Sequence, residues 1–251
     1  EETGGWEFVQ EMKKKGLVKH AGFSFHDSAD ALDEILSRHP EAEFVQLQIN
    51  YADWESESVQ SRQCYEVARK YNVPVIAMEP VKGGTLAVMS EEIEAKFKAF
   101  NPEASVPSWA IRYAASLDGM ITVLSGMSNL EQMVDNTSYM KDFQPLNDEE
   151  NAVVAKVVDI LNSIPTIPCT SCKYCTDGDR CPMGIRIHSI FGAENKARRF
   201  NTEDARGHYN WVTSKGGKPT DCIECGMCEE ICPQQLPIRQ LLKEIGERFE
   251  G

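Results

Sequence analysis

The stretch TVLSGMSNLEQMVDN, residues 122–136, joins a short β-branched run to a helix-like segment through a turn of small and polar residues. Apolar residues recur at helical spacing after Ser128, and Glu131 stands three residues beyond that serine, in the arrangement of a capping box. The pattern predicts a strand that ends near Leu124 and a helix over Leu130–Met140.

Three earlier parts of the chain repeat this strand-then-helix unit. Their apolar runs are short, are rich in β-branched or aromatic residues, and cover 17–25, 44–51 and 73–78. Four consecutive units predict a parallel sheet with helical crossovers. A doubly wound open sheet and a piece of an eight-stranded barrel both fit. Spacing alone favours the open sheet, since a barrel takes about 250 residues and eight strands.

Four segments resemble, in order, strands five to eight of the aldo/keto reductase barrel. They are GLVKHAGFSFH (16–26), EFVQLQINY (43–51), VPVIAMEPVKGGTLA (73–87) and TVLSGMSNLEQMVDN (122–136). The resemblance favours an α/β fold that is half of a (β/α) barrel. In that family the first four strands carry the catalytic Asp, Tyr, Lys and His, and no segment here matches them. The resemblance therefore implies a missing N-terminal half-barrel, and a chain that alone is inactive as a reductase.

The loops after the predicted strands are the candidate ligand face, because barrel enzymes place their sites there. The last loop leads into a helix N-terminus, which favours an anion such as phosphate. The resemblance implies a nicotinamide cofactor, NAD or NADP, whose adenosine phosphates lie near Gly126, Met127, Ser128, Asn129, Gln132 and Asn136. Gly126 and Gln132 replace the Lys and Arg that pair a 2′-phosphate in many members, so the choice between the two cofactors stays open.

The nicotinamide end of the cofactor is assigned by the same resemblance. Its carboxamide would contact Ser24 and Gln46, and Met78 would replace the aromatic side chain that usually stacks on the ring. His26 is either a proton donor or an ordinary polar residue. Cys64 is predicted to be a packed side chain, since no activating partner is evident.

Eight of the nine cysteines form two runs in the last third of the chain. The first run is Cys169-x2-Cys172-x2-Cys175-x5-Cys181-Pro, and the second is Cys222-x2-Cys225-x2-Cys228-x3-Cys232-Pro. The second run has the spacing of bacterial ferredoxins, which bind 4Fe-4S clusters. Zinc and a disulfide framework are the alternatives, but zinc sites normally pair two separate C-x2-C units.

Two-cluster ferredoxins take the fourth ligand of each cluster from the other run, and the resemblance implies the same exchange here. One 4Fe-4S cluster would use Cys169, Cys172, Cys175 and Cys232, and the other would use Cys222, Cys225, Cys228 and Cys181. The frame C-P-x-x-[I/L]-x-I repeats after Cys181 and Cys232. About 40 residues separate the runs, which indicates a mainly helical two-cluster ferredoxin-like domain.

Charge and hydropathy limit the partners. The chain has a net charge of −13, and residues 166–251 hold 12 basic and 12 acidic residues, so the negative charge lies in the first part. This disfavours nucleic acid, and the lack of a long apolar run disfavours a membrane span. Clusters held by reduced cysteine thiolates favour a reducing compartment, and we therefore expect the protein in the cytoplasm. We expect domains at 1–145 (half-barrel), 146–165 (helix and linker) and 166–251 (ferredoxin type).

Two functions remain open at this stage. In the first, the complete protein is an iron–sulfur oxidoreductase that acts on a carbonyl or alcohol and exchanges electrons with a redox partner. In the alternative, the chain is an electron-transfer or structural module whose half-barrel is a docking platform. In both, four open strands leave bare sheet edges, which self-association or the missing half would cover.

Overall fold

The computed structural model describes residues 4–57, 59–169, 171–200 and 202–251, and for residues 202–204 it describes the backbone alone. The chain divides into two compact units, Glu1–Asp159 and Ile160–Gly251. Among the described residues, no helix is both long enough and apolar enough to cross a membrane.

The first unit contains one four-stranded parallel sheet. Its strands are β1 (Gly22–Ser24), β2 (Phe44–Gln48), β3 (Val75–Met78) and β4 (Met120–Val123). They lie in the order β1-β2-β3-β4, all parallel, as expected from four strand–helix units. Each predicted run contains one strand, although β1 is much shorter than the run 17–25, because its pairing with β2 covers only Gly22–Ser24 and residues 17–20 are all exposed.

Helices precede, connect and follow the strands. They are α1 (Gly5–Lys14), α2 (Ala29–Arg38), α3 (Ser61–Lys70), α4 (Glu91–Phe100), α5 (Val106–Ala115), α6 (Leu130–Met140) and α7 (Asp148–Ser163). Two helices lie between β3 and β4, and Pro107 in the first turn starts the second of them, where its missing N–H costs nothing.

The cap of α6 differs from the sequence prediction by one residue. Asn129, not Ser128, is the N-cap, and its side chain accepts a hydrogen bond from the N–H of Gln132 at 2.8 Å. Gln132, not Glu131, reaches back, and its Oε1 accepts from the N–H of Ser128 at 2.7 Å. An amide can perform both capping roles, and Asn is as good an N-cap as Ser.

Alternate residues of the strands face the helices and form the core of the first unit. Val45 and Leu47 of β2 are buried with Val75 and Ala77 of β3, whereas Gln46 on the opposite face of β2 is partly exposed. One face of the sheet is therefore sealed by apolar packing, and the other carries polar groups.

Both outer strands of the sheet have one unpaired edge among the described residues, since β1 and β4 end the order. The β4–α6 side is also apolar at its surface. Its exposed side chains are Ile121, Leu124, Leu130, Met133 and Val134. An exposed apolar edge of this kind is a surface that a soluble protein normally covers.

The second unit is helical. Its helices are α8 (Ile187–Arg199), α9 (Thr202–Thr213), α10 (Met227–Glu230) and α11 (Ile238–Glu250), with 3₁₀ turns at Asp177–Asp179 and Pro219–Asp221. The apolar pairs of the repeated C-P frame are buried together with Cys175 and Cys228; these are Ile185, Ile187, Leu236 and Ile238. Tyr209 is buried and stacks on Phe249, whereas Trp211 is 54% exposed.

Candidate functional site

A cavity of 530 Å³ opens at the carboxyl ends of β3 and β4, where the sequence predicted a phosphate site. Five of the nine predicted cofactor residues line it: Gly126, Met127, Ser128, Gln132 and Asn136. Asn129 caps the adjoining helix but does not line the cavity. The remaining walls of the cavity come from the loop after β3, 79–87, from α5, and from Leu124, Ser125 and Asp135.

The N-terminus of α6 contributes to this cavity, although part of its donor capacity is already used. Gln132 Oε1 accepts from both the N–H and the Oγ of Ser128, at 2.7 and 3.1 Å. The first N–H groups of a helix, here those of Leu130 and Glu131, have no intrahelical acceptor. An anion could therefore accept from the N–H groups of Leu130 and Glu131. The N–H of Ser128 would become a third donor only if the Gln132 side chain moved away.

Asn136 fixes the loop after β4 from inside the cavity wall. Its Nδ2 donates to Ser125 Oγ at 2.8 Å, and its Oδ1 accepts from the Tyr139 hydroxyl at 2.6 Å. Burial, followed by the nearby Asp135 carboxylate, raises the pKa of Tyr139, so the hydroxyl stays protonated and donates. Asn136 therefore acts as a rigid support for the loop.

A buried carboxylate, which the sequence interpretation did not select, organises the loop after β3. Asp53 accepts from Gln48 Nε2 at 2.9 Å, from Asn50 Nδ2 at 3.0 Å and from Lys82 Nζ at 2.5 Å. Asn50 Nδ2 also donates to the Glu79 carbonyl at 3.2 Å. The sequence signal was slight: an Asp three residues after an Asn, which suits a side-chain-stabilised turn.

The electrostatic character of the cavity follows from this arrangement. Lys82 is held by Asp53, and the described lining residues include no Lys or Arg but do include the carboxylates of Glu79 and Asp135. Ser105 Oγ donates to Asp135 at 2.6 Å. A doubly charged phosphate would meet no cationic side chain there.

The three residues predicted to face the nicotinamide lie on neighbouring strands, outside the lining of that cavity. Ser24 pairs in register with Gln46 across β1 and β2, and Gln46 Nε2 contacts Met78 Sδ at 3.4 Å. Ser24 is exposed and Met78 is buried. The structure thus brings the three together on the polar face of the sheet.

The other two sequence candidates differ in their surroundings. His26 is exposed just after β1. Cys64 is buried, and its Sγ lies 3.7 Å from the Asp27 carbonyl. Burial raises the pKa of Cys64 to about 11, with a further contribution from the Asp27 carboxylate, so it is a packed thiol, as expected.

In the second unit all eight clustered cysteines are free thiols. Burial raises the pKa of Cys169, and Cys172 and Cys232 are electrostatic neighbours that raise it further. Cys232 comes from the other run, so the two runs meet in space.

The other buried ligand candidates have similar neighbours. Burial raises the pKa of Cys228 to about 11, with smaller contributions from Glu229, Cys222 and Cys181. Cys181 also belongs to the opposite run. Burial likewise raises the pKa of Cys175 to about 11. Metal binding must displace these protons, because thiolates are the ligands.

The two cysteine loops share one backbone conformation. The residue before the second cysteine has positive φ in both, 56° at Ser171 and 55° at Glu224. The next residue after that cysteine does so too, with 66° at Lys173 and 82° at Gly226. Positive φ on both sides of a cysteine is typical of backbone that turns successive N–H groups toward one point, a concavity that suits Fe–S sulfur.

The repeat continues into the C-P frames. Gly184 and Gln235, each three residues after a cysteine, have φ of 62° and 50°. Their N–H groups donate to the carbonyls of Cys181 and Cys232 at 2.9 and 3.0 Å. A helix begins six residues after each of these cysteines, at Ile187 and at Ile238. The two segments therefore form an internal structural repeat.

These features test whether the residues fit clusters. Each run offers three thiols in a loop lined with N–H groups, and a fourth thiol from the opposite run lies close by, which is the donor set a cubane needs. Among the described residues, no three His, Cys, Asp or Glu side chains stand close enough to hold a single metal ion. The three thiols of each run and the thiol from the opposite run are the donor set whose fit to a 4Fe-4S cluster rests on their number and type.

A side chain outside the runs positions the first loop. Asn195 of α8 accepts from the N–H of Ile167 at 2.7 Å and donates to its carbonyl at 2.8 Å. Both hydrogen bonds hold the backbone two residues before Cys169. This contact was not visible in the sequence, because it joins positions 28 residues apart.

Comparison with known proteins agrees with the two units. The model of the aldo/keto reductase family matches residues 3–159, and that of the 4Fe-4S dicluster domain matches residues 168–236. No curated protein matches the chain.

Solved structures resemble the chain over part of its length. Two are aldo/keto reductases from Klebsiella pneumoniae, one with NADPH (TM-score 0.47) and one with NADP and acetate (TM-score 0.48). Each is 17% identical, over 61% of this chain and 52% of that one. A third, the thermostable aldo-keto reductase Tm1743 with epalrestat, is 19% identical over 59% and 52%, with a TM-score of 0.45. The chain spans about half the length of these structures.

The family match covers more than half of the chain. The chain therefore belongs to the aldo/keto reductase family. It is an iron–sulfur member of that family, since a 4Fe-4S dicluster domain follows the reductase segment. Both resemblances drawn from the sequence are confirmed at this level.

Proposed function

We propose that the chain is the cofactor-binding and electron-transferring part of a nicotinamide-dependent carbonyl or alcohol oxidoreductase. The observation that carries the proposal is the unbroken strand order β1-β2-β3-β4 with a cavity at its carboxyl end. A doubly wound sheet reverses its order at the ligand site, whereas one arc of a (β/α) barrel keeps sequence order. The three-part division at 145 and 165 belongs to the same proposal.

The nucleotide site in this proposal has two ends. Gly126, Met127, Ser128, Asn129, Gln132 and Asn136 would hold the adenosine phosphates, and Ser24, Gln46 and Met78 would face the nicotinamide. When bound, the cofactor supplies or accepts a hydride. Because the cavity lining described above has two carboxylates and no Lys or Arg, we expect NADH to bind more tightly than NADPH.

Titration of the full chain with each nucleotide tests this site. NADH fluorescence should rise with saturation, and Asn136→Ala should weaken binding, since it releases the Ser125 loop. An Asn210→Ala variant, at an exposed position in the second unit, is the control. If neither NADH nor NADPH bound to the chain, the proposed nucleotide site would be wrong.

For the second unit we propose two 4Fe-4S clusters with exchanged fourth ligands. Cys169, Cys172, Cys175 and Cys232 would hold one, and Cys222, Cys225, Cys228 and Cys181 the other. The matching loop conformations and the cross-run neighbours of Cys169 and Cys228 support this. The clusters supply single-electron transfer to or from a redox partner.

Iron and acid-labile sulfide analysis tests the ligand sets. Cys181→Ser and Cys232→Ser should each lose about half of the iron, because each removes one ligand from a different cluster. Cys64→Ser, which changes a buried thiol in the first unit, should keep all of it. Retention of full iron and an unchanged spectrum in both ligand variants would contradict the sets.

We further propose that the chain alone is inactive as a reductase, because its sequence contains no segment resembling the tetrad-bearing strands. A second copy, or a further half-barrel, would cover the apolar β4–α6 edge. Sedimentation should show self-association or aggregation that Met133→Glu reduces. Robust nicotinamide-dependent turnover by the isolated chain would refute the inactivity.

The second candidate is an electron-transfer module whose first unit is only a docking platform. The capture of the Ser128 N–H by Gln132, and a cavity lining without cations, favour it. Clusters that exchange electrons in a chain that binds neither nucleotide would establish this candidate. In either case clusters held by reduced cysteine thiolates suit a reducing compartment, and we propose the cytoplasm.

A further inference from the structure

A polar cavity of 460 Å³, which we call the Cys181 cavity, lies in the second unit. The loop 173–179, the turn 181–186, the start of α8 and Lys215 line it. Only one of the eight clustered cysteines, Cys181, is among its lining residues. The cavity therefore lies beside the proposed cluster ligands and is not the space that either set of four would enclose.

A tight backbone crossing forms one side of the cavity. The Gly217 N–H donates to the Gly184 carbonyl at 3.0 Å, and Ile185 and Gly217 form a parallel bridge. A Cβ on Gly217 would lie 2.2 Å from the Met183 carbonyl oxygen, so only glycine permits this approach. The crossing brings the segment that carries Lys215 against the segment that carries Arg186.

The side chains of the Cys181 cavity carry a positive excess. Lys173, Arg186 and Lys215 line it together with the carboxylates of Asp177 and Asp179, so three cations face two anions and leave +1. Within the described part of the chain, none of these three cations makes an ion pair. The surrounding residues 166–251 are formally neutral, with 12 basic and 12 acidic residues, so the excess is local to the cavity.

Two further features favour an anion at this place. Lys215 Nζ lies 4.2 Å from the ring centroid of Trp211, which holds the ammonium group by a cation–π contact. The 13-residue helix α8 begins at Ile187 without a side-chain cap, so the positive end of its dipole stands at the cavity wall. The N–H groups of Ile187 and Ser189 already donate to the carbonyls of Ile185 and Arg186, which leaves the N–H of His188 for a ligand. His188 Nδ1, also in the wall, lies 3.5 Å from Thr176 Oγ1.

We propose that the Cys181 cavity binds the oxyanion group, phosphate or carboxylate, of a small molecule. Its volume and concave shape fit a small ligand, since such pockets measure about 300–1,000 Å³. Arg186 would form the paired hydrogen bonds that oxyanions accept, with Lys173 and Lys215 as point charges. The inference rests on the proposed function only for the presence of a cluster next to Cys181.

A bound anion beside a cluster has a thermodynamic consequence. Reduction adds negative charge to the cluster, and a nearby anion opposes that addition. The anion should therefore lower the reduction potential, and by linkage it should bind the oxidised protein more tightly than the reduced protein.

Titration of the full, cluster-loaded chain with inorganic phosphate, and separately with acetate, tests the proposal by calorimetry. We expect one saturable phosphate site, weakened about tenfold or more by Arg186→Gln and by Lys215→Gln, since each removes one charge-assisted contact. Lys243→Gln, on the exposed side of α11, should bind as the wild type does. Binding of acetate as well would extend the site to carboxylates.

Three results would overturn the inference: no saturable phosphate binding, unchanged affinity in both variants, or a potential that phosphate does not lower in the wild type. A potential that changes in the variants without any phosphate effect would show that the cations serve the cluster alone. Circular dichroism checks folding of the two variants. Iron analysis separates the proposals, because a loaded chain without phosphate binding refutes this inference and leaves the clusters in place.

Discussion

Lys82 Nζ lies 2.5 Å from Asp53 Oδ1, and this ion pair joins the loop after β2 to the loop after β3. Asp53 is 6% exposed, and its carboxylate also accepts from Gln48 and Asn50. Residues Glu79 and Lys82 have φ of 56° and 51°, a conformation that only surrounding contacts maintain. The pair thus holds one wall of the proposed nucleotide cavity.

Replacing Asp53 with Asn should destabilise the chain by about 1–3 kcal/mol, because both carboxylate oxygens accept hydrogen bonds, and in either orientation the NH₂ of a neutral amide would face a donor. NADH affinity should fall with it, as the wall loosens. Denaturant unfolding and nucleotide titration measure the two effects. The exposed pair Lys70–Asp33 provides the control, and Asp33→Asn should change neither quantity.

Asn195→Ala should lower the occupancy of the cluster proposed to bind Cys169, because the loop that begins there loses its support. It should also destabilise the second unit by about 1–3 kcal/mol, because two part-buried backbone groups of Ile167 lose their partner. Asn195→Asp should have an intermediate effect, since it can still accept from the N–H. Iron analysis and unfolding curves report both. Full iron content and wild-type stability in Asn195→Ala would contradict the positioning role.

Gly226→Ala tests the left-handed backbone of the second loop. A Cβ there would meet no atom within 4 Å, so the change isolates the backbone strain at φ 82°, about 1–2 kcal/mol of destabilisation. Gly192→Ala, at an equally open site inside α8, should instead stabilise by up to about 1 kcal/mol. If both substitutions changed the free energy of unfolding in the same direction, the proposed backbone strain at Gly226 would be refuted.

Glu43 gives the chain a pH-dependent contact in the first unit. Hydrogen bonds from Lys13, the Ala21 N–H and His20 lower the pKa of Glu43 to about 2. A lowered carboxyl pKa adds stability above the unfolded value of 4.5, and this stability is lost as the pH falls toward 2. The loss in free energy of unfolding caused by Glu43→Gln, which we call the deficit, should therefore be complete at pH 7 and become smaller below pH 4.5.

Unfolding curves of Glu43→Gln and the wild type between pH 7 and pH 3.5 measure this deficit. A ¹³C titration should find Glu43 still ionised at pH 3.5 in the wild type, and its pKa raised toward 4.5 once Lys13→Met removes the strongest of its three hydrogen bonds. A deficit that stays constant across the range would show that the lowered pKa is wrong.

Local patterns in the sequence were enough for the element types and for the family. Runs of β-branched residues predict the strands, and apolar residues at helical spacing predict the helices. Both patterns involve only residues that are close together in sequence. The cap of α2 is local in the same sense, because Ser28 Oγ accepts from the N–H of Ala31, three residues on. The cysteine spacing likewise encodes its own chemistry, since each x2 interval turns the chain around one cluster corner.

Boundaries and caps were less certain where two local solutions compete. Ser128–Glu131 and Asn129–Gln132 both offer a cap with a partner three residues later, and only the observed start of α6 selects the second. The strand within 17–25 shrank to three residues because pairing with β2, which a sequence does not display, decides where a strand begins.

By itself the sequence determined the family, the α/β character of the first unit and the two cysteine runs, because each depends on residues close together along the chain. Only the tertiary structure decided the contacts that join distant segments, such as Asp53 to Lys82 and Asn195 to Ile167. Such contacts depend on how the elements pack, and packing brings together residues whose separation in sequence carries no local signal.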